Sequence, residues 1–275
     1  MMNEMKYKAL ALDLDGTLTD SEKRLPKENK EAIWKAMVKG VTIILASGRA
    51  PMGSAPIAKE LELDKRGGII AAFSGGKVFN CQTGEIILNF ILSSHLIPDI
   101  CEISAKHGTF PVSYNDTQVI SEFDKEPLVL QEWKCNYTTL LKVDSLPEFL
   151  DFPVNKLMIS GDHEKLVKVR DEMLAKHSDE MSSFFSESYF LEAAPKGIGK
   201  EVALDAICKH LGITPAELMV CGDGLNDITM FDFAGFSVGM KNSYPEAAAH
   251  ADVVIPKTND ECGVAYAIEK YILGE

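Results

Sequence analysis

Two short stretches of this chain concentrate carboxylates where a strand gives way to a turn. In "DLDGT" (13–17), Asp13 and Asp15 follow the apolar run "KALAL" and precede Gly16. Carboxylates two residues apart on an extended segment face the same side and repel unless positive charge lies near them. A divalent cation such as Mg2+, which favours carboxylate oxygens, would offset that repulsion. An aspartate is also a competent nucleophile toward phosphorus, and a second carboxyl beside it can carry the proton. In "CGDGLND" (221–227), Asp223, Asn226 and Asp227 fall within five residues after a second apolar run. That density of oxygen-bearing side chains reads as a metal site rather than a plain turn. "DLDGT" by itself serves equally well as a turn or an N-cap pair, so at this point both readings stand.

Two further positions have the right chemistry for an anionic ligand. In "ILASGR", Ser47 and the backbone N–H groups after it, beginning with Gly48, could meet phosphate oxygens at a helix start. Taken alone, Ser47 is more simply a helix cap. In "PKGIGKEVAL", Lys200 opens a helix after a glycine-rich turn and could neutralise a phosphoryl group. Taken alone it is a solvated lysine, and Lys196 competes for the same role.

All four features sit where a predicted strand ends or a helix begins. "KALALDL", "VTIILAS" and "GGIIAAFS" are continuous apolar runs of strand length. "PKENKEAIWKAMVKG" separates the first two as a helix, with Pro26 near its start, Gly40 as its stop and Ile33, Trp34, Met37 and Val38 as its apolar stripe. A short helix from Pro51 to about Leu61 separates the next pair. Such alternation predicts a parallel sheet covered on both faces, whose ligands bind at the carboxyl ends of the strands.

The middle of the chain has another character. "GGKVFNCQTGEIILNF" reads as a hairpin turning at Thr83-Gly84, and "TFPVSYNDTQVIS" as strands around the polar turn Tyr114-Asn115-Asp116. "NKLMISGDHEKLVKVRDEML" gives a strand, a turn capped by Asp162 and a helix, and "MSSFFSESYFLEAAP" gives two more strands. "TTLLKVDSLPEFL" reads as interior and connection. Hairpins with one helix per pair predict an inserted α+β module with an antiparallel sheet. The α/β style then returns, with "TPAEL" capped by Thr214 and Glu217 and a closing helix in "DECGVAYAIEKYI". The expected division is a core of 1–82 and 193–275 around an insert of 83–192.

Bulk properties bound the partners. A formal net charge of -13 argues against nucleic acid or an anionic membrane surface, both of which select basic patches. No run of about 18 apolar residues exists to span a bilayer. The six cysteines show no metal or redox spacing, and the six histidines do not cluster. Buried, reduced thiols and a cytoplasmic location are the expectation.

In this order the four features resemble the four motifs of the haloacid dehalogenase (HAD) superfamily, in the form used by the Cof-type subfamily IIB. Asp13 and Asp15 match "DxDGT", Ser47 and Lys200 match the second and third motifs, and "GDGLND" matches the fourth. Asp13 and Ser47 lie 34 residues apart, and Ser47 and Lys200 lie 153 apart, which leaves room for a cap only in the second interval. The resemblance implies a HAD-like (Rossmann-like) parallel-sheet α/β core with an inserted α+β type 2 (C2B) cap domain. It implies a Mg2+-dependent phosphatase acting on a small phosphorylated metabolite, possibly a sugar phosphate, through an aspartyl-phosphate intermediate.

By the same resemblance, Asp13 is nucleophile and Mg2+ ligand. Asp15 is the general acid/base and lends its backbone carbonyl to the metal. Asp223 completes the metal site and Asp227 supports it. Ser47, Gly48, Lys200, Asn226 and the N–H groups near Leu14 hold the phosphoryl group. Two alternatives remain. One is a phosphomutase, disfavoured because Arg170 is the only arginine of the insert. The other is a non-catalytic phospho-ligand sensor. One departure stands out: where relatives often read Asn-Gly after the third strand, this chain has "FSGGK", with Ser74 in place of Asn.

Overall fold

The computed structural model describes residues 6–274. In chain order its strands are β1 (Ala9–Leu12), β2 (Thr42–Ala46), β3 (Ile69–Ala72), β4 (Lys77–Asn80), β5 (Ile86–Asn89), β6 (Phe110–Tyr114) and β7 (Gln118–Ser121). They continue as β8 (Thr139–Lys142), β9 (Leu157–Ser160), β10 (Met181–Glu187), β11 (Phe190–Pro195), β12 (Leu218–Gly222), β13 (Phe236–Gly239) and β14 (Val253–Val254).

The chain divides into two compact units. One comprises the N-terminal part to Ser47, Ser54–Leu88 and Gly199 onward; the other comprises Gly48–Gly53 and Asn89–Ile198.

The first unit is built on an eight-stranded sheet of order β14-β13-β12-β1-β2-β3-β4-β5. The strands from β14 to β3 are parallel, and β4 turns back antiparallel on β3. β1, β3 and β12 are buried along their whole length, as the continuous apolar runs require of strands covered on both faces. On one face, the helix Lys200–Leu211 lays Ala203, Leu204, Ile207 and Cys208 against Ala11, Ile44, Ala71 and Val220. The hairpin β4–β5 extends this sheet, so β5 belongs with the core sheet although the insert was expected to start at residue 83. β11 belongs to the second unit's sheet and runs beyond the insert's expected end at residue 192.

Register decides where the chemistry collects. Leu12 pairs with Leu45 on one side and Cys221 on the other, and Ala46 pairs with Ala71. The strands are parallel, so Asp13, Ser47 and Asp223, each following its strand, emerge at the same edge of the sheet. From β1 the chain moves outward through β2 to β3, then returns at β12 to continue the opposite way. The gap between β1 and β12 is therefore a switch point of the kind where open α/β sheets bind ligands. Asp13 and Asp223 stand on either side of it, and the Asp13 N–H donates to the Cys221 carbonyl at 3.0 Å.

The helix Lys27–Val38 corrects one expectation. Its buried face is Asn29, Ala32, Ile33 and Ala36, while Val38 at the last position is 81% exposed. The face turned inward thus lies one step around the helix from the expected stripe. Asn29 is buried because its amide bridges two segments: Nδ2 donates to the Leu18 carbonyl and Oδ1 accepts from the Ala265 N–H, both at 2.9 Å.

The second unit carries a six-stranded sheet of order β10-β11-β9-β6-β7-β8, antiparallel except for the pair β7–β8. Helices Leu96–His107 and His163–His177 cover it, the latter N-capped by Asp162 through the Glu164 N–H. Three elements escaped the sequence pattern: β8, the helix Pro127–Cys135 and the helical turn Leu146–Phe149. Strand β8 has no fully buried residue, so its apolar alternation is weak. Tyr114 is not part of the polar turn either: it ends β6, is 4% exposed and donates to Glu132 at 2.7 Å. All six cysteines are free, but only Cys208 and Cys221 are buried; Cys81, Cys101, Cys135 and Cys262 are partly buried. No described helix is long and apolar enough to cross a membrane.

Candidate active site

Three aspartates meet at the carboxyl edge of the first unit's sheet. Asp13, Asp223 and Asp227 are all buried, and each offers an oxygen within 4.8 Å of the other two. Their counter-charge is Lys200. Its ammonium donates to Asp13 Oδ1 at 2.7 Å and to Asp227 Oδ1 at 2.5 Å, and the residue is 2% exposed. Lys200 reaches this point because Gly199, extended at the N-cap, starts the helix over the strand ends. Lys196 lies in the second unit, where it faces Asp179 at the surface.

The electrostatics follow from burial. Removal from water raises the Asp13 carboxyl well above its ordinary range; Lys200 pulls it down, while Asp227 and Asp223 push it further up. Asp223 is raised to about 7, again mainly by burial, with the Thr17 hydroxyl opposing and Asp227 adding to the shift. Burial alone would lower Lys200, but the carboxylates of Asp13 and Asp227 outweigh it and hold the ammonium charged. Three buried carboxylates thus share one ammonium. The excess negative charge and the all-oxygen donor set suit a hard divalent cation.

The aspartates are not equivalent. Both oxygens of Asp227 are engaged within the protein: Oδ1 with Lys200, Oδ2 with the N–H groups of Asp223 and Gly224 at 2.8 and 2.9 Å. Asp227 therefore shapes the turn that carries Asp223. Asp223 Oδ1 accepts from Thr17 Oγ1 at 2.6 Å. Thr17 stands in "DLDGT" and drew no role from the sequence, because its partner lies 206 residues away. Gly16 has φ +79°, and a Cβ there would lie 2.3 Å from Asp223 Oδ2. Only glycine both turns this way and lets Asp223 approach.

The remaining predicted residues divide. Leu14 is fully buried, and its carbonyl accepts from the Thr19 N–H and hydroxyl, both at 2.9 Å. Ser47 is 2% exposed; its N–H donates to the Ala71 carbonyl at 2.9 Å, and its own carbonyl accepts from the Ser74 N–H at 3.0 Å. Ser74 occupies the left-handed region (φ 54°, ψ 32°). Asn tolerates that conformation and Ser does so less readily, which gives the departure at "FSGGK" a backbone meaning. Gly48 groups with the second unit. Asp15 is not in the acidic cluster: its side chain is 38% exposed and rests on Lys23 Nζ at 2.5 Å. Asn226 is exposed beside Gly224.

Loops around "DLDGT" are tied down from the C-terminal side. Asn242 Nδ2 donates to the Gly16 carbonyl at 2.8 Å, Asn259 Nδ2 to the Thr19 carbonyl at 2.9 Å, and Asp260 accepts from Ser21 N–H and Oγ. An open cavity of about 430 Å³ lies among Gly16, Asp20, Lys23, Asn242 and Asp260.

The family model for haloacid dehalogenase-like hydrolases matches residues 10–268. A haloacid dehalogenase-like hydrolase from Bacteroides thetaiotaomicron is 34% identical, with a TM-score of 0.92 over 96% of this chain and 99% of its own. A HAD subclass IIB sugar phosphatase is 25% identical, with a TM-score of 0.82 over 96% and 98%. The 5-amino-6-(5-phospho-D-ribitylamino)uracil phosphatase YcsE of Bacillus subtilis is 29% identical, covering 98% of each chain. The architecture is thus a HAD-like α/β core with an inserted α+β cap. With the match spanning nearly its whole length, the chain belongs to the haloacid dehalogenase-like hydrolase family.

Proposed function

We propose that this enzyme is a Mg2+-dependent phosphatase that hydrolyses a small phosphorylated metabolite, a sugar phosphate among the candidates, through an aspartyl phosphate on Asp13. The observation that carries the reading is the buried group in which Lys200 bridges Asp13 and Asp227 beside Asp223. Hydrolysis of phosphoric monoesters is the class of reaction that its relatives carry by name.

Asp13, Asp223 and the Asp15 backbone carbonyl would hold Mg2+, with Asp227 fixing the turn that presents Asp223. Bound there, Mg2+ supplies positive charge to the phosphoryl oxygens. Lys200 holds the Asp13 carboxylate in place and adds its own charge to the same oxygens. An Asp13 oxygen bonds to phosphorus as the bond from phosphorus to the ester oxygen breaks, and Asp15 gives that oxygen its proton. Asp15 then takes a proton from water, whose oxygen attacks phosphorus and frees the Asp13 carboxylate and inorganic phosphate. To serve either step, the Asp15 carboxylate has to leave Lys23. Ser47, Gly48, Asn226 and the N–H groups near Leu14 would orient the phosphoryl group, and the insert expected at 83–192 would select what it is attached to.

A screen of sugar phosphates, nucleotides and cofactor phosphates with Mg2+ tests the reading. The expected result is release of inorganic phosphate, abolished by EDTA and lowered at least ~1,000-fold by Asp13→Asn. Turnover that survives Asp13→Asn sinks the nucleophile assignment. Isomerised sugar phosphate without free phosphate would indicate a mutase instead.

A further inference from the structure

The second unit buries an ion pair that the chemistry above does not use. Lys156 and Glu192 are each 1% exposed, with Lys156 Nζ 3.0 Å from Glu192 Oε1. They stand on neighbouring strands: Lys156 just precedes β9, and Glu192 lies in β11. Removing two charges from water is costly, and a buried pair is seldom justified by stability alone. This one is also incompletely satisfied. The contact is off the angle of a hydrogen bond, and neither oxygen of Glu192 makes a well-formed one among the described residues. A purely structural interior would be better served by apolar side chains.

What the pair does hold is backbone. Lys156 Nζ donates to the Gly48 carbonyl at 3.1 Å, 108 residues away in sequence. Gly48 follows Ser47, whose own carbonyl is held by the Ser74 N–H. A peptide group is planar and trans, so its N–H points opposite to its carbonyl. Fixing the Ser47 carbonyl therefore aims the Gly48 N–H, and fixing the Gly48 carbonyl aims the Arg49 N–H. Further along the same segment, Arg49 Nη1 closes onto the Gly53 carbonyl at 3.1 Å, and the guanidinium lies over the Tyr137 ring. A Cβ on Gly53 would lie 2.7 Å from Asn136 Oδ1. The segment after Ser47 is thus held at its start by Lys156 and lies against Asn136 at Gly53.

We propose that Lys156, paired in the interior with Glu192, is a positioning residue for phosphoryl transfer. It sets the Gly48–Arg49 peptide so that the N–H groups after Ser47 present a fixed donor array to the transition state. The inference rests on the reading that this turn binds the phosphoryl group. It adds a second task for the insert, which orients the phosphate-binding turn as well as selecting the substrate.

The test is the charge-free double variant Lys156→Met/Glu192→Met, assayed as the full chain with Mg2+ and p-nitrophenyl phosphate. The expected result is a melting temperature no lower than wild type and kcat down about ten- to a hundred-fold. KM should stay within about three-fold, and inhibition by orthovanadate should weaken by the same factor as kcat. A folded double variant with kcat within about two-fold of wild type overturns the proposal, as does a loss confined to KM. If the double variant does not fold, Lys156→Gln/Glu192→Gln replaces it with the same readouts. Wild-type turnover that Asp13→Asn abolishes isolates this inference from the functional reading: without it the reading fails first, with it only the role of Lys156 is judged.

Discussion

The molecule buries two lysines against carboxylates, and they differ in an instructive way. Lys200 in the first unit faces Asp13 and Asp227 with Asp223 beside them, so its surroundings remain negative. Lys156 in the second unit pairs with the carboxylate of Glu192 and donates to the Gly48 carbonyl. Nearly equal burial therefore goes with different partners. The first arrangement is unfinished and asks for a cation and a charged ligand. The second reaches a backbone carbonyl, and its output is the position of a peptide group.

Removing each lysine singly gives the largest contrast. Lys200→Met is expected to lower kcat by about 100- to 1,000-fold, and its loss of stability should be largely recovered by millimolar Mg2+, because the stranded carboxylates can take another counter-charge. Lys156→Met strands Glu192 in a dry interior and should cost about 3–5 kcal/mol, with no recovery in Mg2+. Urea melts with and without Mg2+ read both. Recovery of the Lys156 variant, or none for the Lys200 variant, would erase the distinction.

The pH dependence of stability sharpens the same contrast. Asp223 is raised to about 7, so the folded metal-free chain keeps a proton that the unfolded chain has already released. Stability in EDTA should therefore fall as pH climbs from about 4 through about 7. Mg2+ competes with that proton, so the gain in melting temperature on adding it should be larger near pH 8 than near pH 5.5. A gain independent of pH would separate the cation from Asp223. The smallest effect is expected for Thr17→Val, which removes one hydroxyl donor from Asp223 Oδ1. It should cost about 1 kcal/mol of stability and raise the Asp223 carboxyl further, shifting the decline in stability to higher pH.

Much of the first unit was legible because its cues are local. Continuous apolar runs named β1, β2, β3 and β12, and β1, β2 and β12 lead directly into Asp13, Ser47 and Asp223 at the sheet edge. The second unit was less legible. β8 and the helix Pro127–Cys135 have few buried positions, so their periodicity fades into a loop-like pattern. Tyr114 looked like part of a polar turn because Asn115 and Asp116 follow it, yet its ring is buried and its hydroxyl reaches Glu132. Lys156 gave no cue at all: one lysine before an apolar strand reads as a surface residue.

By itself the sequence determined which residue types stand at the strand ends and that an α+β module interrupts an α/β core, since propensity, periodicity and spacing act over a few residues. Only the tertiary structure decided the partners. It chose Lys200 over Lys196, engaged both oxygens of Asp227, rested Asp15 on Lys23, and gave Thr17 to Asp223 and Gly48 to Lys156. Each of the last two contacts joins residues more than a hundred positions apart. Hydrogen bonds of this kind depend on ångström-scale placement by the packed sheets, and no local pattern of residues encodes that placement.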